Sequence, residues 1–177
     1  MLKKVMINVK TERSAHGVSL FDSEDAILAH WDDVGGGDAT EDVSDEPEIS
    51  QMAIEGKLKI ALGKVELKYT ETELSGMEGS VAVISFSENE PGLVTILRSG
   101  IVNTALVFEE GKRHLCAYNT PFMPFEVCVH TLKTDNRLLD TGRLYIDYVV
   151  EIRGADPERC KMSISIKEIN KIQIPCE

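Results

Sequence analysis

The sequence predicts an all-β fold, an antiparallel up-and-down barrel of about 8–10 strands. Three observations carry this. Apolar residues recur at every second position through most of the chain. Short Gly-, Pro- and Asn-containing turn signals separate the runs. No helical segment recurs that could serve as the crossover of a parallel sheet.

The elements follow in order. Residues 1–10 read as an N-terminal strand. Its positive front resembles a signal peptide, but the apolar run stops at Asn8 and Lys10, too soon for an apolar export core. From Met52 the period is two: Met52, Ile54, Leu58, Ile60 and Leu62, then a break at Gly63, then Val65, Leu67 and Tyr69. Lysines and glutamates alternate with them, which makes a hairpin with one wet face. Further strands are expected at 78–88, 93–98, 102–109, 112–119 and 125–132, and the longest at 138–153. Phe125, Val127, Val129 and Thr131 share one face; Leu144, Ile146, Tyr148, Val150 and Ile152 share another. The last strand sets Cys160, Met162, Ile164 and Ile166 against Lys161, Ser163, Ser165 and Lys167. So long a meander leaves two unpaired edges, and closure removes both. One apolar face per strand suits a barrel with a filled or ligand-holding interior, with a two-sheet sandwich as the alternative.

The length fits a single domain, 1–177, in which an acidic flexible insert of about 14–50 interrupts the strand rhythm. Residues 14–48 hold 11 of the 30 acidic residues and no Lys or Arg; outside them 19 acidic residues balance 19 basic ones. The formal charge of -11 therefore belongs to one segment. A neutral barrel with an acidic loop has no basic face for nucleic acid and repels anionic lipid. No run reaches the ~18–20 apolar residues of a membrane helix. The cytoplasm is the expected compartment, and the four cysteines, which form no Cys-x-x-Cys pair, read as packing residues.

Within the insert, residues 22–31 suit a short helix capped by Asp22 or Ser23, with Ile27, Leu28 and Trp31 on its apolar side. Those three could dock on a barrel mouth or in a protein partner's groove. Asp32-Asp33-Val34-Gly35-Gly36-Gly37-Asp38 lacks the ligand spacing of a calcium loop.

Three side-chain groupings could carry chemistry. Tyr69, Arg98 and Tyr148 fall on inward parities; an inward arginine beside tyrosines can hold a carboxylate or phosphate. The bland alternative is an Arg98 that snorkels to water from a strand end. If the 112–132 hairpin is centred on Phe122, His114, Cys116, Cys128 and His130 share one face and could hold zinc. Val127 and Val129 claim the apolar face, however, so the expectation is no metal. Cys128 with His130 has no visible orienting carboxylate for nucleophilic catalysis, and no hydrolase or phosphate-loop motif is present. No cofactor is implied.

The stretch 54–168 resembles the YwiB-like family of uncharacterised bacterial proteins. The matching features are Glu55-Gly56, Leu67-Lys68-Tyr69-Thr70-Glu71, Arg98-Ser99-Gly100, Tyr118-Asn119-Thr120-Pro121-Phe122, Gly142-Arg143-Leu144 with Tyr148, and Ser163-Ile164-Ser165-Ile166-Lys167. The resemblance implies a calycin-like, lipocalin-type barrel and no assigned activity. Two departures stand out: the long acidic connection after the first strand, and Met123-Pro124 where a glycine is expected. Together these point to a non-enzymatic barrel for a small apolar or amphipathic ligand. The alternative is an interaction module whose filled barrel uses its surface or the acidic insert; an enzyme with a polar site at the mouth comes last. An interior cavity lined by Tyr69, Arg98 and Tyr148 favours a ligand, and a packed axis favours a partner.

Overall fold

A computed structural model of the chain describes residues 1–16, 46–73 and 78–169. Ten strands run in order: β1 (Leu2–Ala15), β2 (Glu48–Ala61), β3 (Lys64–Thr70), β4 (Val81–Ser87), β5 (Glu90–Ser99), β6 (Asn103–Phe108), β7 (Arg113–Asn119), β8 (Pro124–Arg137), β9 (Arg143–Glu151) and β10 (Glu158–Glu168). Each pairs antiparallel with its sequence neighbour, and β1 pairs with β10 to close the barrel. The expected up-and-down barrel is therefore the observed fold. Closure also answers the edge problem, since every strand has a neighbour on both sides, although β6 and β7 pair only at Asn103–Asn119 and Thr104–Tyr118.

The period-two pattern sets the inside. Val5, Ile7, Leu67, Ile84, Ile96, Phe108, Leu144, Ile146 and Ile164 are all but inaccessible. Their outward neighbours are mostly charged or hydroxylated, so the alternation separates core from water as a half-wet sheet requires. Gly56 faces inward from β2, where an added Cβ would stand 2.3 Å from Ile7 Cδ1 and 2.7 Å from the Lys68 carbonyl. Only glycine lets β1, β2 and β3 close up at that point.

Three boundaries differ from the expected ones. The longest strands are β1, β2 and β8, each of 14 residues, whereas β9 has 9. The apolar run from Leu138 is not its beginning: 138–142 is a turn, in which Thr141 donates to the Arg137 carbonyl from both N and Oγ1. Gly142 closes it at φ 72°, a conformation that favours glycine. Second, β8 continues beyond Leu132 through a bulge between Thr131 and Lys133. The extra residue restores the inward set to Thr134, opposite Ile146. Third, Ser14, Ala15 and 48–50 belong to paired strands, so the insert is shorter at both margins than its composition suggests. The helix expected at 22–31, with Ile27, Leu28 and Trp31, lies outside the described residues.

Among the described residues, no helix is long and apolar enough to cross a membrane.

Candidate functional site

The barrel's two ends are built differently. One end is closed by the short connections 62–63, 88–89, 109–112 and 138–142. At the other lie the described residues 16, 46–47, 71–73, 78–80, 100–102, 120–123 and 152–157, where the odd strands end and the even strands begin. Loops of this kind on a rigid scaffold are where binding groups concentrate.

At that end one paired row crosses seven strands: Gly56, Tyr69, Ala82, Arg98, Thr104, Tyr118 and Phe125. A second row crosses five: Thr131, Tyr148, Cys160, Arg13 and Glu48. All of these positions share the inward parity of their strands. Ala82, which stands between Tyr69 and Arg98 in this row, carries only a methyl group. Tyr118 and Phe125 stack, with ring centroids 4.9 Å apart and planes at 23°.

Two adjoining hollows result. The larger, of about 270 Å³, is walled by Leu106, Tyr118, Phe125, Val150 and other apolar side chains, with Arg98, Arg13, Tyr148 and Glu158 among its polar groups. The smaller, of about 50 Å³, lies between Tyr69, Glu71, Arg98 and Met52. Both share Thr11, Arg13, Arg98 and Met162. Larger depressions exist on the outer wall, such as one of about 570 Å³ lined by Lys57, Lys59, Glu66 and Lys68. Those are wet surface; among the described residues, the interior hollows combine apolar walls with converging buried polar groups.

Arg98 does not snorkel away. Its Nε donates to Glu71 Oε1 at 3.0 Å, and the two side chains are 17% and 1% exposed. Burial works against the guanidinium's charge, but the adjacent Glu71 carboxylate holds its pKa above the ordinary value. Burial, reinforced by Glu71, pushes the Tyr69 phenol up strongly, and burial does the same to Tyr148. Both tyrosines are thus neutral hydroxyls at any physiological pH. Tyr148 also meets Phe108 edge to face at 4.8 Å, which fixes its ring.

The three interior residues expected from sequence are therefore brought together: Arg98 lines both hollows, Tyr69 the smaller and Tyr148 the larger. Glu71, Arg13 and Thr104 were not anticipated. Glu71 repeats the parity of Tyr69 two residues on, and Arg13 continues that of Val5, Ile7 and Val9 along a strand that runs past Thr11. Parity alone could have found both.

The register that would gather His114, Cys116, Cys128 and His130 on one face does not form. Cys116 pairs with Val127 and Leu115 with Cys128, one residue away from a hairpin centred on Phe122. His114 and Cys116 consequently face inward, while Cys128 and His130 face outward. Among the described residues no three His, Cys, Asp or Glu side chains gather as a metal would need. A carboxylate does stand opposite Cys128, that of Glu151. Burial and that negative charge push the Cys128 thiol up, the reverse of an activated nucleophile. The turn at Met123 needs no glycine: Thr120 Oγ1 accepts from the Phe122 and Met123 amides, and Leu62 is the one described non-glycine residue at positive φ.

A family described as "Domain of unknown function (DUF1934)" matches residues 38–164. The chain belongs to this family. No curated protein matches the sequence. Among solved structures, the crystal structure of the ywiB protein from Bacillus subtilis is similar over 93% of this chain and 92% of that one, with a TM-score of 0.59 and 16% identity. At that identity the likeness supports the fold alone. It agrees with the YwiB-like resemblance read from the sequence, and the DUF1934 assignment adds no activity.

Proposed function

We propose that this DUF1934 protein is a non-enzymatic barrel that binds a small amphipathic ligand inside its open end. The observation that carries the reading is the hollow of about 270 Å³ bounded by aromatic and aliphatic walls and by Arg98 and Tyr148. Apolar walls supply affinity and a few fixed polar groups supply orientation. A volume just below the usual range of about 300–1,000 Å³ limits the ligand to a small molecule. An interaction module with a filled barrel is the weaker reading, because among the described residues the fully packed inward side chains, such as Val65, Ile84 and Phe108, stand away from the two hollows. We place the protein in the cytoplasm, where buried free thiols such as Cys116, Cys128 and Cys160 stay reduced.

Native mass spectrometry of gently purified full-length protein tests this. The expected result is an added mass of one small molecule that is lost on denaturation. A ligand-free mass, together with no saturable binding of a small apolar probe such as 2-phenylethanol, overturns the proposal.

A further inference from the structure

The Arg98–Glu71 pair leaves hydrogen-bonding capacity unused on both sides. Glu71 Oε1 accepts from Arg98 Nε, but Glu71 Oε2 is fully buried and receives no donor from any described residue. Arg98 spends only Nε on Glu71, so its terminal nitrogens, which bond to no described residue, can take a planar acceptor. A buried carboxylate oxygen without a donor is costly, and native structures rarely leave one so. The backbone of Glu71 is fixed beneath it: its amide donates to the Ser80 carbonyl and its carbonyl accepts from Gly79. The orphaned oxygen is therefore held in place rather than free to turn toward water.

Both groups border the small hollow, and Arg98 also borders the large one. The site thus offers a donor fork and a lone acceptor side by side, next to an apolar chamber. Building on the ligand reading above, we infer that the ligand's head carries an acidic group with a hydrogen-bond donor on the adjacent carbon: an α-hydroxy or α-amino acid with an apolar body. The carboxylate lies on the terminal nitrogens of Arg98, and the hydroxyl or ammonium donates to Glu71 Oε2. The body lies against Leu106, Tyr118, Phe125 and Val150.

Charge and size agree with this class. The side chains lining the two hollows that carry a formal charge at neutral pH are Arg13, Arg98, Glu71 and Glu158, and these charges cancel. Such a site suits a zwitterion or a monoanion and disfavours a dianion. About 270 Å³ corresponds to roughly nine water volumes at ~30 Å³ each. A phenyl or branched aliphatic body fits that space; a long acyl chain does not.

Calorimetric titration of the full chain with four probes that share a phenyl body tests the inference: phenylalanine, 3-phenyllactate, 3-phenylpropanoate and 2-phenylethanol. The better of the two donor-bearing acids is expected to bind about tenfold more tightly than 3-phenylpropanoate, the scale of one hydrogen bond to a charged group. Phenyllactate ahead identifies a hydroxyl donor; phenylalanine ahead identifies an ammonium. Equal binding of all three acids, or binding of 2-phenylethanol alone, overturns the head assignment and leaves the ligand reading standing. Binding of none of the four overturns both. Glu71→Gln places an amide donor where Oε2 stands, so the tenfold preference should vanish. Should that variant fold poorly, the double substitution Glu71→Leu with Arg98→Met replaces the whole pair by apolar groups, a change buried pairs tolerate. Its affinities for the three acids should become equal, whatever the change in affinity for the shared phenyl body; a retained preference for the donor-bearing acids overturns the assignment.

Discussion

The closed and open ends of this barrel share the same ten strands and the same alternation, yet they are filled by opposite chemistry. Toward the closed end stand Val65, Leu67, Ile84, Val94, Phe108, Leu144 and Ile164, all but inaccessible. None of them lines either interior hollow. Toward the open end the same inward parity delivers Arg13, Arg98, Thr104, Tyr118 and Glu158. Burying an apolar side chain contributes about 1.5–3 kcal/mol, whereas a buried ion pair roughly breaks even. The difference teaches that stability is concentrated at one end, so the other can carry groups that would be poor choices for a core.

The sharpest way to break this comparison is to truncate one aromatic at each end. Phe108 is fully buried and packs edge to face on Tyr148, so Phe108→Ala should cost about 3–5 kcal/mol. Tyr118 is only half-buried and faces the hollow, so Tyr118→Ala should cost about 1 kcal/mol, mostly its stacking on Phe125. Urea unfolding midpoints compare the two directly. Equal losses would mean that the open end is as tightly packed as the closed one.

A second test asks what holds the wall beside the cavity. Behind the inward pair Tyr148 and Cys160, the outer face carries Asp147 and Arg159. Arg159 donates from Nε to Asp147 Oδ1 at 3.0 Å and from Nη2 to Oδ2 at 2.8 Å. The Arg159 hydrogen bonds hold the Asp147 carboxyl below its ordinary pKa despite its burial. The sign follows from linkage: a depressed folded pKa means that the unfolded chain binds the proton more tightly. The pair's contribution is complete above the unfolded value of about 3.9 and fades as pH falls through the folded one. Asp147→Asn should therefore cost about 1–2 kcal/mol at pH 7, discounted because Arg159 is partly exposed. The gap from wild type should narrow in acid. A gap that stays constant from pH 7 to pH 2 would assign the loss to packing instead.

The barrel was legible because alternation is a direct consequence of strand geometry and survives in the sequence residue by residue. Tyr69, Arg98 and Tyr148 were legible for the same reason. The Arg98–Glu71 pair was not, because parity gives the side of the sheet but not which strand ends meet across β4. The hairpin around Pro121 failed on a finer point. Its register depends on how Thr120 folds the turn, and a shift of one residue from a centre at Phe122 sets His114 and Cys116 on the inner face, away from Cys128 and His130. The bulge at Leu132 and the turn at 138–142 were hidden inside apolar runs that read as continuous strand. The acidic composition of 14–50 concealed strand ends whose pairing is made by backbone groups, to which composition is blind.

The smallest expected effect sharpens the comparison from the closed end. The turn between β2 and β3 places Leu62 at φ 52° and Gly63 at φ 74°. Two consecutive positive φ values define the hairpin turn that favours Asn-Gly, and a leucine in the left-handed region is strained. Leu62 is fully exposed, so it gains nothing from burial in return. Leu62→Asn should relieve that strain and stabilise the protein by about 0.5–1 kcal/mol, or a rise of about 1–3 °C in Tm for a chain of this size. If the closed end is where stability is stored, its tight turns should respond to such local corrections, since the strands they join are already fixed by the core. A fall in Tm would show that Leu62 has a covering contact in solution, and that this end of the barrel is less finished than its packing indicates.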